Sequence, residues 1–210
     1  MERGSSGTSG TGCQGDYSLT TPIQSVRTSG LPLVTKTQFF AAMQPGDLVY
    51  CWGSEAVSKA IEKETDGGPS HVLKVWLPFS TGPWLTLESE FSYGVRFGQF
   101  ADYLKYPGDI VLTRRTGLTL DQLEAELTFG STLLDYKYDT IEFASLVGRR
   151  FFSKFPLIQP KQELYCSGLM QAIAAVSIPY AVPDVPWATP GQLWEDASTT
   201  AICALLEGAA

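Results

Sequence analysis

The sequence predicts an α+β fold, and three observations carry that expectation. Short runs of strand-like residues cluster in the middle of the chain. Helical periodicity flanks them on both sides, and Gly- and Pro-containing turns mark the boundaries. With 210 residues, 44% hydrophobic and 18% charged, the composition suits one globular domain with a sizeable core.

Residues 1–35 are rich in Gly, Ser and Thr and are expected to form a flexible arm ahead of a compact domain over 36–210. Within the arm, "GTGCQG" at 10–15 has the G-x-G-x-x-G spacing. No strand precedes it and no helix follows, so the match is taken as accidental. An arm this rich in Gly needs a partner to order it, which points to contact with partner subunits in an assembly.

In the domain, "PGDLVYCW" (45–52) is a turn feeding a strand, and "PGDIVLTR" (107–114) uses the same turn again. "SEAVSKAIEKETDGG" (54–68) predicts a short helix with Ser54 as N-cap and Gly67 near its end. "HVLKVWL" (71–77) and "WLTLESE" (84–90) form an expected hairpin. Alternation places His71, Leu73, Val75 and Leu77 on one face of the first strand and Val72, Lys74 and Trp76 on the other. "TLDQLEAELTF" (119–129) opens with a capping box, Thr119 with Gln122. Further on, Leu169, Met170, Ile173, Ala174 and Val176 recur at helical spacing, with Cys166 in or just before the first turn. "TPGQLWED" (189–196) predicts another Thr-capped helix start, and the tail 197–207 is apolar enough to dock.

Composition also excludes functions. A formal net charge of −7 with no basic face argues against nucleic-acid binding. No apolar run approaches the roughly 20 residues needed to cross a bilayer. The first residues lack the apolar core of a secretion signal, so a cytoplasmic or virion-associated protein is expected. The four cysteines (Cys13, Cys51, Cys166 and Cys203) form no C-x-x-C pair. With a single histidine, His71, they leave too few ligands for a zinc site, and no metal or cofactor is expected. The chain has no asparagine at all.

Chemistry therefore rests on few residues. A helix N-terminus can stabilise a thiolate at Cys166, although a cysteine there is also compatible with inert packing. His71, at the start of a strand, is either a boundary residue or the base for that thiol. Glu88 and Glu90 share a face of the next strand, and either could accept the Nδ1–H of His71, fixing its tautomer. Periodicity does not choose between them. A free thiol is largely un-ionised at neutral pH, and an exposed helix end supplies only about 0.3–1 kcal/mol. An imidazolium from His71 would have to provide most of the activation, and the backbone N–H of Cys166 could serve an oxyanion.

Several segments, taken in order, resemble circularly permuted NlpC-type papain-like hydrolases of the YiiX/YebB-like group. "PGDLVYCWGSEAVSKAIEKETDGGPSHVLKVW" resembles the opening block, in which a Gly-Asp strand and a short helix lead to a Ser-His-Val strand. "LTLESEFSYGVR", "GDIVLTRR" and "DYKYD" resemble the segments that follow, and "ELYCSGLMQAI" resembles the Cys-Ser helix. The likeness covers about 45–176, and its most informative feature is the order His, Glu, Cys. Lecithin retinol acyltransferase, a relative, shares that order.

The resemblance implies a papain-like fold with a central antiparallel sheet. It also implies Cys166 as nucleophile, His71 as general base and Glu88, following "LTL", as the orienting acid. It implies a cysteine hydrolase acting on peptides, peptidoglycan stems or acylated small molecules through a thioester, with acyl transfer on the same triad as the nearest alternative. A non-catalytic scaffold in a larger assembly such as a virion is the alternative from another class. Gly168 and Met170 depart from the pattern beside the nucleophile, and the Gly-rich arm has no counterpart.

Overall fold

A computed structural model describes residues 30–78, 84–105, 108–140, 164–177, 188–195 and 198–205. Residues 1–29, with Cys13 and the "GTGCQG" motif, lie outside the described residues.

The described chain is α+β: one seven-stranded mixed sheet with six helices. The strands are β1 (Leu33–Val34), β2 (Leu48–Cys51), β3 (His71–Pro78), β4 (Trp84–Glu90), β5 (Gly94–Gln99), β6 (Ile110–Arg115) and β7 (Thr199–Leu205). The helices are α1 (Lys36–Ala42), α2 (Ala56–Glu64), α3 (Phe100–Tyr103), α4 (Leu120–Thr132), α5 (Cys166–Ser177) and α6 (Pro190–Trp194). Spatial order is β1-β7-β6-β2-β3-β4-β5. The sheet is mixed rather than antiparallel because β1 runs parallel to β7, with Leu33 opposite Ala204. That pairing draws Leu33 and Val34, expected in the arm, into the sheet. The apolar tail docks as β7, a strand paired with β6 on one side and β1 on the other.

Helices cover both faces, so the central strands are apolar at successive positions instead of alternating with polar residues. All four residues of β2 are buried. On one face Tyr50, Val72, Trp76, Leu87 and Val111 pack against Leu169, Met170 and Ile173 of α5 and Leu193 of α6. On the other, Val49, Leu73, Val75 and Leu112 meet Phe39 of α1 and Phe100 of α3. The expected alternation along β3 holds through Val75, where the pairing with β4 shifts register. That irregularity turns Leu77 outward, and it is 50% exposed.

Capping boxes start three of the helices, at Thr35/Gln38, Thr119/Gln122 and Thr189/Gln192. Helix α2 differs from expectation: its N-cap is Glu55, not Ser54, and no side chain caps it. Val176, counted in the apolar stripe of α5, is 44% exposed because it lies to one side of the line of Cys166, Met170, Ile173 and Ser177 that faces inward.

Lys74 points to the face covered by α4 and α5, where it is fully buried. Glu126 of α4 answers it at 2.7 Å, and Arg115 of β6 reaches the other oxygen of the same carboxylate at 2.5 Å. The hydroxyl of Ser177, at the end of α5, donates to Glu126 as well. One buried carboxylate thus ties two strands and two helices together, which fixes how α5 lies on the sheet.

Candidate active site

Helix α5 begins at Cys166 itself, with the N–H of Leu169 donating to the Tyr165 carbonyl at 2.9 Å. The first turn is buried because Cys166, Leu169 and Met170 all face the sheet. This puts the thiol beside the start of β3.

His71 is held there by the turn before it. Ser70 donates both its backbone N–H and its hydroxyl to the Cys51 carbonyl, at 2.9 and 3.1 Å. The same hydroxyl accepts from the Gly53 N–H at 3.0 Å. The turn closes through left-handed Asp66 and Gly67, and the Gly67 carbonyl accepts from the Trp52 indole at 2.9 Å. His71 is consequently fixed opposite Cys51 of β2, with its side chain only 21% exposed.

Cys166 and His71 engage each other. Burial raises the thiol's pKa, but the facing imidazolium, its hydrogen bond and the backbone N–H groups of Val72 and Ser167 outweigh it and hold Cys166 below its ordinary value. Burial likewise opposes the charge on His71, yet the Cys166 thiolate and then Glu88 raise its pKa to about 10. Between those limits the pair is a thiolate and an imidazolium.

Glu88 is fully buried, with one oxygen 4.0 Å from His71 Nε2 and the other 3.0 Å from Arg96 of β5. Burial raises its pKa, and His71, Tyr103 and Arg96 together bring it below its ordinary value. Glu90 pairs with Arg96 on the cleft side of that guanidinium. The structure therefore brings Cys166, His71 and Glu88 together, with Glu90 across Arg96 from Glu88. The carboxylate faces Nε2, not the expected Nδ1, which leaves Nδ1 as the ring nitrogen for the thiol.

Two residues at the site have no counterpart in the sequence reading. Tyr103, at the end of α3, has its hydroxyl 3.1 Å from His71 Nε2 and donates it to Glu88. Burial, then the nearby Glu88 charge, push the phenol well above its ordinary pKa, so it stays protonated. Gly98 of β5 makes room for the carboxylate, since a Cβ there would collide with Glu88. A four-residue helix offers no periodic signal, and a glycine in a strand signals only a close approach of some kind.

The pair opens on a cleft of about 180 Å³, walled by Trp52, Ile61, Phe91 and Tyr138 and lined by both Cys166 and His71. Cys51 also lines it; burial, then the Glu88 and Cys166 charges, push its thiol far up, so it remains neutral. Cys203 packs with Val49 and Leu112 on the α1 face.

No protein-family profile matches the chain, and no curated protein matches it. Among solved structures, it is similar to the crystal structure of metalloprotein yiiX from Escherichia coli O157:H7. That likeness has a TM-score of 0.59 at 14% identity and covers 76% of this chain and 96% of the other. The two share a YiiX-like fold.

Proposed function

We propose that this chain is a permuted papain-like cysteine hydrolase that cleaves an amide bond through a thioester acyl-enzyme. The observation that carries the reading is the thiolate–imidazolium pair of Cys166 and His71 on an open cleft. A buried cysteine with no task is ordinarily a neutral, inert hydrophobe, as Cys51 and Cys203 are here.

The Cys166 thiolate attacks the carbonyl carbon, and the oxyanion forms beside the backbone N–H groups at the start of α5. As the intermediate collapses, the C–N bond breaks and His71 gives its proton to the leaving amine nitrogen. The neutral imidazole then takes a proton from water, whose oxygen attacks the thioester. Cys166 leaves as the thiolate, and the proton on His71 restores the pair. Glu88 stabilises the imidazolium in the resting state. The partner is a peptide, a peptidoglycan stem or an acylated small molecule.

The yiiX protein of that crystal structure is described as a metalloprotein. Among the described residues of this chain no group of three or more His, Cys, Asp or Glu side chains could hold a metal ion. The site's donor set does not fit one.

Intact-mass analysis during turnover of a peptide, peptidoglycan and N-acyl amine panel tests the proposal. The expected result is an acyl adduct on Cys166 that hydroxylamine releases and that Cys166→Ser and His71→Ala do not form. Amide cleavage undiminished in Cys166→Ser would overturn it. Capture of the acyl group by an added amine in preference to water would assign acyl transfer instead.

A further inference from the structure

We propose that Tyr103 is a positioning residue of this site: its phenol receives the Nε2–H of His71 and transmits the orienting effect of Glu88 to the imidazole. The inference rests on the Cys166–His71 pair proposed above. His71 Nε2 lies 4.0 Å from the nearer Glu88 oxygen, beyond hydrogen-bond length, and 3.1 Å from the Tyr103 oxygen.

An ionised carboxylate can only accept, so the single phenolic proton goes to Glu88. The Tyr103 oxygen is then left with lone pairs alone towards the ring, and Nε2 must be the donor. This fixes His71 as the Nε2–H tautomer when neutral, with the Nδ1 lone pair free for the Cys166 proton. Glu88 acts at one remove, by forcing which way the phenol points.

The phenol is also rigidly placed. Its ring stacks on His71 with centroids 5.7 Å apart and planes 9° from parallel, and on Phe100 at 6.3 Å and 15°. Phe100 is fully buried between the sheet and α1. Among the described residues, the ionisable groups against the imidazole are Cys166, Cys51, Glu88 and Tyr103, with Arg96 joining Glu88 to Glu90, and Glu55, Glu90 and Asp109 line the same cleft.

His71 is the only histidine in the chain, so long-range ¹H–¹⁵N spectra of the full protein report its tautomer and titration without assignment. The neutral form of the wild type is expected as the Nε2–H tautomer. Glu88→Gln, whose amide no longer dictates the direction of the phenol, should lower the His71 midpoint by about one pH unit or more. Tyr103→Phe should lower it similarly and give a tautomer mixture. Adding Glu88→Gln to Tyr103→Phe should move it by less than half as much as in wild type.

An Nδ1–H tautomer in the wild type overturns the proposal, as does an equal Glu88→Gln shift in both backgrounds. If Tyr103→Phe does not fold, the wild-type tautomer decides alone. Failure of the functional reading looks different: His71 would titrate near its ordinary 6.5, while the tautomer would still answer for Tyr103.

Discussion

Removing the imidazole should switch off the thiolate at Cys166, and the size of that loss can be worked out. At an ordinary pKa of 9.0, a thiol is about 1% ionised near pH 7. In the folded chain the facing imidazolium holds the thiol below that value, and even half ionisation at pH 7 takes a fall of about two pH units, worth about 2.7 kcal/mol. The helix end supplies at most about 1 kcal/mol of that. His71→Ala leaves the Val72 and Ser167 N–H groups in place, but burial then acts unopposed by a cation. Thiolate ultraviolet absorbance, as the wild type minus Cys166→Ser difference, should be present near pH 7 and vanish in His71→Ala. Iodoacetamide alkylation should slow by only about tenfold, because a low-pKa thiolate is also a weaker nucleophile. An absorbance step near 9 in wild type, or one unmoved by His71→Ala, refutes the pair.

Three other consequences can be checked. The pair holds one proton when folded, whereas the unfolded chain, titrating at 6.5 and 9.0, holds two below 6.5, one between and none above. Its contribution to stability should therefore rise with pH up to about 6.5, stay level to about 9 and fall towards about 10. Urea unfolding of wild type against a Cys166→Ala/His71→Ala double variant measures this, and a difference that is flat with pH would contradict it. Gly98→Ala should leave the fold intact, since β5 is an edge strand, but displace the Glu88 carboxylate. The expected result is a His71 midpoint lowered as in Glu88→Gln, with unfolding little changed; an unmoved midpoint would show that the carboxylate has room elsewhere. Glu126→Ala strands Lys74 and Arg115 as buried cations and should cost about 3–5 kcal/mol in urea unfolding, while a cost under about 1 kcal/mol would mean water replaces the carboxylate.

Much of this fold was legible because local chemistry and tertiary placement agree. The β3–β4 hairpin, the Thr119 and Thr189 caps and the helix opening at Cys166 all follow from period or capping pattern. The Thr35–Gln38 cap of α1 carries the same Thr-x-x-Gln signal, hidden beside an arm that suggested no structure. β1 has two residues and exists only through its partner, so no period announces it. At the site, period alone could not separate Glu88 from Glu90 because both lie on one face of β4; only the family resemblance favoured Glu88. What distinguishes them comes from β5, where Gly98 opens a space and Arg96 stands between the two carboxylates. Tyr103 was invisible for the same reason: its partners lie 15 and 32 residues away along the chain.

The nucleophile and its base belong to different layers. His71 opens a strand of the sheet and pairs with Cys51 of β2, while the same strand pairs with β4 from Lys74 onward. Among the described residues, Cys166 rides on a helix that meets that sheet through apolar side-chain packing, a Val72 N–H to the thiol, and Glu126 as a polar tether at the far end of the helix. On heating, α5 can lift away while the strands remain paired, and the reactive couple then comes apart with most of the fold still standing. The protein should lose its nucleophile several degrees before its sheet melts, and regain it on cooling. Deuterium uptake early in α5 and late in β2 and β3 would be the trace of that order; simultaneous uptake would mean that the layers open as one.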